Sequence, residues 1–402
     1  MRSLVEYQGT RVELSEADVA ALLALTRGTP SDGARVIDAI MPTERAGVYW
    51  VRPLGYVGRL ALPSGQVLDI QSRFSFQRVV ALLQVAGRLP PLLQTPPVPA
   101  TKGKFLVELI ATALVREVDT IASQGLAKGY ETQQFDTPPL PGAVDVTTHL
   151  RRHAGRPDRL VTRAQRLTTD IDCNRALAAA LHLLLRVPLD RGVRARVLRA
   201  ATTFGRIPAA YMPAAAVRRI RLTRLTQRYR SALALAALVL ESNAITPEGA
   251  EGIGPSVLFH MPRVWEDCVA AWVRNAWPQP YAVAAPYTFS VGTDGSLPAV
   301  ADAIVADPEG QVIALYDAKY KPTEQWPARA DVYQMVTYCQ RLKLGEATLV
   351  YPFMKGGPQE VRVANTLVRG VGVWTTRAED PVEDLAGWVP EQLSRARQRA
   401  PT

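Results

Sequence analysis

The sequence predicts a multidomain α+β protein: an N-terminal mixed α/β domain, an Arg-rich helical middle and a compact C-terminal α/β core. Three observations carry that expectation. Strand and helix patterns alternate at the N-terminal end, and apolar residues recur at helical spacing from Phe105 to Ile245. The C-terminal part then orders as helix, three strands, helix, strand, a compact α/β succession. With 402 residues, 48% hydrophobic and 21% charged, the chain suits two or three domains and is too apolar for wholesale disorder.

In the first part, Ser15 ahead of Glu16, Ala17 and Asp18 is a helix start leading into the apolar run 19–25. Segments 48–51 and 55–62 read as strands, and Pro63, Ser64 and Gly65 turn the second into 66–70 as a hairpin. A helix follows over 75–86. Five prolines within 90–99 form a stiff connector, so the first domain is expected over 1–95. Helices dominate 96–255, at 105–115, 175–185 and 228–240, with breaks near 128–148, Pro208 and Pro213. Pro247, Gly249, Gly254 and Pro255 interrupt the chain again. In the third domain, 256–402, a helix at 262–276 precedes strands at 286–291, 299–306 and 311–319. A helix at 328–342 and strands at 346–352 and 360–368 complete it.

The net charge of +10 is uneven. Residues 150–230 hold 19 Arg, no Lys, four Asp and no Glu, a net of +15, so the remainder is slightly acidic. A basic region of this kind suits a polyanion, because neutralising phosphates releases counterions. No apolar run reaches the ~20 residues that span a bilayer, and the N-terminus turns polar too early for a secretory signal. Cys173, Cys268 and Cys339 lack paired spacing, and Arg151 and Arg152 between His149 and His153 would repel a cation. The expectation is a cytoplasmic protein without a membrane span.

The chemistry concentrates near the C-terminus. Ala299–Val305 contains Asp302, and Ile313–Tyr320 contains Asp317, Ala318 and Lys319, with Asp307-Pro308-Glu309-Gly310 as a turn between them. If those four residues make the turn, Ala306 faces Gln311 and Asp302 faces Leu315. Asp317 then lies diagonally on the same face, within ~7–8 Å of Asp302, together with Lys319. Two such carboxylates can share a hard divalent cation, for which Mg²⁺ is best suited, and an ammonium beside them can assist an attacking water. An exposed surface ion pair would read differently, since Asp302 interrupts an apolar strand formed by Val300 and Ile304. Gln334 and Tyr338, four apart on the next helix, share a face that either contacts phosphate and water or packs on the sheet. Glu266, on the preceding helix beside Trp265 and Val269, is a candidate third acid, whereas Asp267 is expected to be solvated.

Asp302, then Asp317-Ala318-Lys319, then Gln334 to Tyr338 resembles the core of PD-(D/E)xK nucleases of the restriction-endonuclease type. The wider sequence resembles the McrC family, nuclease subunits of the McrBC modified-cytosine restriction systems. The likeness rests on Asp317-Ala318-Lys319-Tyr320-Lys321 and Asp331 to Met335, on Gly125 to Tyr130, Leu140 to Asp145 and Asp172 to Leu177, and on the hairpin at 58–70. Ala301 stands where the family has proline, and Gln71-Ser72-Arg73 where a Pro-Lys pair is expected.

The resemblance implies a Mg²⁺-dependent DNA endonuclease subunit, with Mn²⁺ able to substitute, acting in phage defence on DNA that contains modified cytosine. Asp302 and Asp317 would hold the metal with the Ala318 carbonyl. Lys319 would assist the attacking water, and Glu266, Gln334 and Tyr338 would support. The implied partner is an AAA+ GTPase hexamer of the McrB type, contacted by the N-terminal domain and stimulated by this subunit. That fits the absence of a GxxxxGK[ST] motif from this sequence. Alternatives are a non-catalytic adaptor of the ring and a stand-alone repair nuclease of the same fold.

Overall fold

A computed structural model describes residues 2–27, 35–89, 106–136, 140–242, 253–321, 327–354 and 358–374, apart from 154, 157, 206, 209, 211 and 293. The proline window at 90–99 lies outside them.

Helix starts follow their side chains. Ser15 and Asp18 form a reciprocal capping box on Glu16–Ala24, and Ser75 caps Phe76–Val85. The expected hairpin is Tyr56–Ala61 with Val67–Gln71, turned at Gly65, whose φ of +81° suits glycine. Arg2–Val5, which lacks a long apolar alternation, adds in parallel to Val67–Gln71.

The chain divides into two compact units, Met1–Val107 with Ser242–Thr402, and Glu108–Glu241. Segments 1–95 and 256–402 thus fall in one unit, joined by backbone pairing. Val257–His260 pairs antiparallel with Tyr56–Ala61 and completes a four-stranded sheet. Gly58 permits this approach. Its φ is +139°, and a Cβ there would sit 2.1 Å from the Val257 carbonyl oxygen.

From His260 the chain enters the helix Met261–Ala276, whose apolar side carries Trp265 and Trp272, packed edge to face at 5.4 Å. A six-stranded mixed sheet follows, ordered Ala282–Ala284, Ala303–Ala306, Val312–Ala318, Glu346–Phe353, Thr366–Trp374 and Gln359–Val363. Val312–Ala318 and Glu346–Phe353 run parallel, and Arg329–Leu342 crosses between them. Leu315 joins the core beneath Val332, Met335 and Cys339 of that helix. On the other face, Trp277 Nε1 donates to Tyr316 Oη at 3.0 Å and Trp265 Nε1 to the Val350 carbonyl at 3.0 Å.

Three details depart from the sequence reading. The strand at 299–306 breaks at Asp302 into Pro298–Ala301 and Ala303–Ala306, which belong to different sheets. Segment 360–368 is a hairpin of Gln359–Val363 and Thr366–Trp374, turned at Ala364 with φ +50°. The strand Ala282–Ala284 is too short to give a periodic signal.

In the second unit, Asp172–Arg186 packs against Arg191–Thr202 and Arg230–Glu241. Asn174 is buried and donates to the carbonyls of Ala127 and Thr169 at 3.0 and 2.7 Å. The Tyr229 hydroxyl donates to Asn174 Oδ1 at 2.9 Å and accepts the Ala127 amide at 2.8 Å. Asn174 therefore ties the 127 loop to the helix, which explains a polar residue in an Ala/Leu-rich run. The middle is not all helical. Gly129–Phe135, Ala143–Val144 and Thr162–Thr168 form a three-stranded antiparallel sheet. Most of its side chains are exposed on both faces, so the period-2 apolar signature is missing.

Gly58→Ala is expected to destabilise the first unit by more than about 2 kcal/mol, since both the backbone clash and the positive φ must be relieved. Denaturant unfolding measures this, with Gly65→Ala, where a Cβ meets nothing within 4 Å, losing less.

Candidate active site

The hairpin that carries the acids is closed by Asp307. Its Oδ1 accepts the Gln311 amide at 2.7 Å, its own amide donates to the Gln311 carbonyl at 2.9 Å, and Gly310 takes φ +85°. A bulge between Val305 and Ala306 shifts the ladder, so Ile304 faces Leu315 and Ala303 faces Tyr316. Continued one residue, this register sets Asp302 across from Asp317 rather than Leu315. The slip of two positions leaves both acids on one face.

The strand break at Asp302 frees its side chain from a regular ladder. Asp302 Oδ2 accepts the Ala318 amide at 2.6 Å, taking the place of a ladder carbonyl. Because amide and carbonyl of one strand residue point the same way, the Ala318 carbonyl also lies on the Asp302 side. Asp317 is only 2% exposed, and its Oδ2 has no aligned hydrogen bond among the described residues. What meets that oxygen is charge, the Lys319 Nζ at 2.6 Å.

Burial dominates the electrostatics. It pushes the Asp302 carboxyl up to about 7, helped by the neighbouring Asp317 charge and opposed by the Ala318 amide. Burial also raises Asp317 above the usual carboxylate range, although Lys319 pulls it down. For Lys319, burial opposes the charged form, but Asp317 overrides it and the ammonium is held above its ordinary value. Lys319 is therefore cationic at neutral pH.

Lys319 Nζ donates to Gln334 Oε1 at 3.0 Å, and Gln334 Nε2 donates to the Tyr338 hydroxyl at 3.0 Å. Tyr338 is buried and meets Phe289 edge to face at 5.0 Å. The helix face packs on the sheet side through Tyr338, and Gln334 reaches Lys319, a contact not weighed from sequence. Glu266 touches none of these groups in a described hydrogen bond. Burial raises its carboxyl, and the Asp317 charge adds to that shift. Asp267 is not merely solvated, because Arg88 Nε donates to its Oδ2 at 2.7 Å.

Sequence reasoning missed a second tier. Lys321 Nζ lies 2.6 Å from Asp331, which also accepts the Tyr351 hydroxyl at 3.1 Å, and both charges act on Asp317. Lys321 and Asp331 both stand in segments that carry the family likeness, but no part in the site was expected of either.

Among the described residues there is no group of three or more His, Cys, Asp or Glu side chains arranged to hold a metal. That disfavours a protein-caged ion such as structural zinc. A buried carboxylate oxygen without an aligned hydrogen bond, a second carboxylate across from it and an adjacent carbonyl form a sparse, all-oxygen donor set. Such a set fits Mg²⁺, which uses one or two carboxylates and keeps waters or substrate phosphate as its remaining ligands.

In the second unit the charge faces water. Of the described arginines between 150 and 230, all but the half-buried Arg175 and Arg228 are exposed. On Arg191–Thr202, Val193, Val197 and Ala200 turn inward and Arg194, Arg196 and Arg199 outward. Lys128, Arg219 and Arg221 line an open cleft of about 590 Å³ with Thr223 and Thr226.

An α/β unit that carries a paired-acid hairpin and, in the same chain, a separate Arg-rich unit are what these observations define. The family profile described as McrBC 5-methylcytosine restriction system component matches residues 51–352, and the chain belongs to that family. No curated protein matches the sequence. Its fold is similar to a chain of the half-complex from a tetradecameric assembly of Thermococcus gammatolerans McrB AAA+ hexamers with bound McrC. That match has a TM-score of 0.59 at 16% identity and covers 98% of each chain. A Thermococcus gammatolerans McrBC complex structure matches at a TM-score of 0.46 and 17% identity, over 69% of this chain and 88% of the other. No helix among the described residues is long and apolar enough to cross a membrane.

The raised carboxyls set a pH dependence. A carboxyl whose folded pKa lies above its unfolded value of ~3.9 favours folding below pH 4 and withdraws that support as pH climbs through the folded value. For Asp302 the window runs from about 4 to about 7. Metal-free Asp302→Asn protein is therefore expected to melt several degrees above the wild type at pH 8, and close to it at pH 5. Thermal unfolding in chelator across that range checks this; equal gains at both pH values would contradict it.

Proposed function

We propose that the chain is the DNA-cleaving subunit of a McrBC-like restriction complex, a Mg²⁺-dependent endonuclease with a PD-(D/E)xK core. The observation that carries this reading is the Asp302–Asp317 pair, with Lys319 2.6 Å from one of its oxygens and a backbone amide on the other acid. Family membership supports the restriction-system role.

Asp302, Asp317 and the Ala318 carbonyl would hold the metal, with Mn²⁺ able to replace Mg²⁺. Bound there, the ion supplies positive charge against the negative charge that develops on a phosphodiester under attack. Lys319, kept cationic by Asp317, would donate to the oxygen of the attacking water and stabilise the negative charge that builds there as the water's proton passes to solvent. Gln334 holds Lys319 through Oε1, and Tyr338 fixes the Gln334 amide so that this oxygen faces the ammonium. Glu266 adds a third acid at longer range. The exposed arginines of the second unit grip DNA backbone by charge, without reading sequence.

The partner under this reading is an AAA+ GTPase hexamer of the McrB type, as in the assembly of the similar structure. It selects DNA containing modified cytosine, and its hydrolysis is stimulated by this subunit in the cytoplasm. The intact acid pair and amine favour hydrolysis over an adaptor role.

Asp317→Ala or Lys319→Ala is expected to lower cleavage of methylated DNA, with partner and GTP present, by about 10²–10³-fold or more. Stimulation of GTP hydrolysis should be retained. Cutting or nicking at the wild-type rate by either variant refutes the assignment.

A further inference from the structure

The ladder that fixes Lys319 ends at Lys319. Its amide donates to the Val350 carbonyl at 2.9 Å, and the next bond of a parallel ladder would run from residue 352 to the Lys319 carbonyl. Residue 352 is proline and has no N–H to give. Lys321 is held by Asp331 of the following helix, and Tyr320, between Lys319 and Lys321, is held by residues at the ends of the N-terminal strands of the same unit. Arg2–Val5 and Val67–Gln71 are parallel neighbours, so Glu6 and Arg73 emerge from them side by side. Glu6 is fully buried, and its Oε1 accepts from the Tyr320 hydroxyl at 2.7 Å, the Ser72 hydroxyl at 3.0 Å and the Arg73 amide at 3.1 Å. The Arg73 guanidinium donates to the Tyr320 carbonyl. It also lies 4.7, 4.8 and 5.0 Å from the rings of Tyr320, Phe74 and Tyr7.

Tyr320 is thus gripped at its carbonyl by the Arg73 guanidinium and at its hydroxyl by the buried Glu6 carboxyl. Directional hydrogen bonds of this kind in a low-dielectric setting fix geometry. The geometry fixed here is that of the residue after Lys319. We infer that Glu6 and Arg73 are positioning residues for Lys319: by clamping Tyr320 where the ladder stops, they hold the ammonium on Asp317. The consequence for cleavage rests on the nuclease reading above; the consequence for Lys319 does not.

Tyr320→Phe and Arg73→Gln in the full chain test this. Tyr320→Phe keeps the ring contacts and removes only the hydroxyl, so it decides the matter should Arg73→Gln fail to fold. The first readout is the acylation rate of the Lys319 amine, followed by peptide mass spectrometry, against the exposed Lys128 and Lys343 as internal references. Lys319, with 18% of its side chain exposed and an ion pair in place, should react slowly in the wild type and several-fold faster in both variants. The second readout is single-turnover cleavage with the GTPase partner, where the rate should fall about 10- to 100-fold at unchanged DNA affinity. Unchanged Lys319 reactivity in a folded variant overturns the inference, including where cleavage falls along with melting temperature. Should the wild type cut no DNA, the nuclease reading fails, while the reactivity of Lys319 still judges the clamp.

Discussion

Two carboxylates facing each other in a site with little water repel, and a fold that holds them there needs counter-charges in fixed places. Asp302 and Asp317 are such a pair: burial pushes both carboxyls up, and the Asp317 charge adds to the rise at Asp302. The Ala318 amide binds one acid and the Lys319 ammonium the other. Gln334 and Tyr338 then hold the ammonium, and Lys321 with Asp331 surrounds it with alternating charge.

The chain that leads into the acid-bearing sheet is first tied to a separate N-terminal sheet. Val257–His260 extends the sheet of Arg2–Val5, Val67–Gln71 and Tyr56–Ala61, then leads directly into the helix that carries Glu266. Glu6 and Arg73 approach the site a second time through Tyr320. Residues around the acids are therefore held twice by partners distant in sequence.

The hairpin was legible because lysine is scarce in this sequence and because an acid interrupts an apolar strand at Asp302. The helix starts at Ser15 and Ser75 were legible through capping chemistry. The register was not, since the bulge between Val305 and Ala306 lies in an alanine–valine stretch that gives no sign of it. The sheet formed by Gly129–Phe135 and Thr162–Thr168 escaped notice for a related reason: strands exposed on both faces carry no alternation to read. Nor could the clamp on Tyr320 be read, with its partners 247 and 314 residues away. Pairings of that kind are decided by tertiary packing.

Cleavage at this acid pair requires that it gather a hard divalent cation, and Mn²⁺ titration of the full chain followed by electron paramagnetic resonance measures that directly. The expected result is saturable binding of Mn²⁺ that Mg²⁺ displaces and that disappears in both Asp302→Asn and Asp317→Asn. Binding that survives both substitutions, or no binding to the folded wild-type chain, would contradict it.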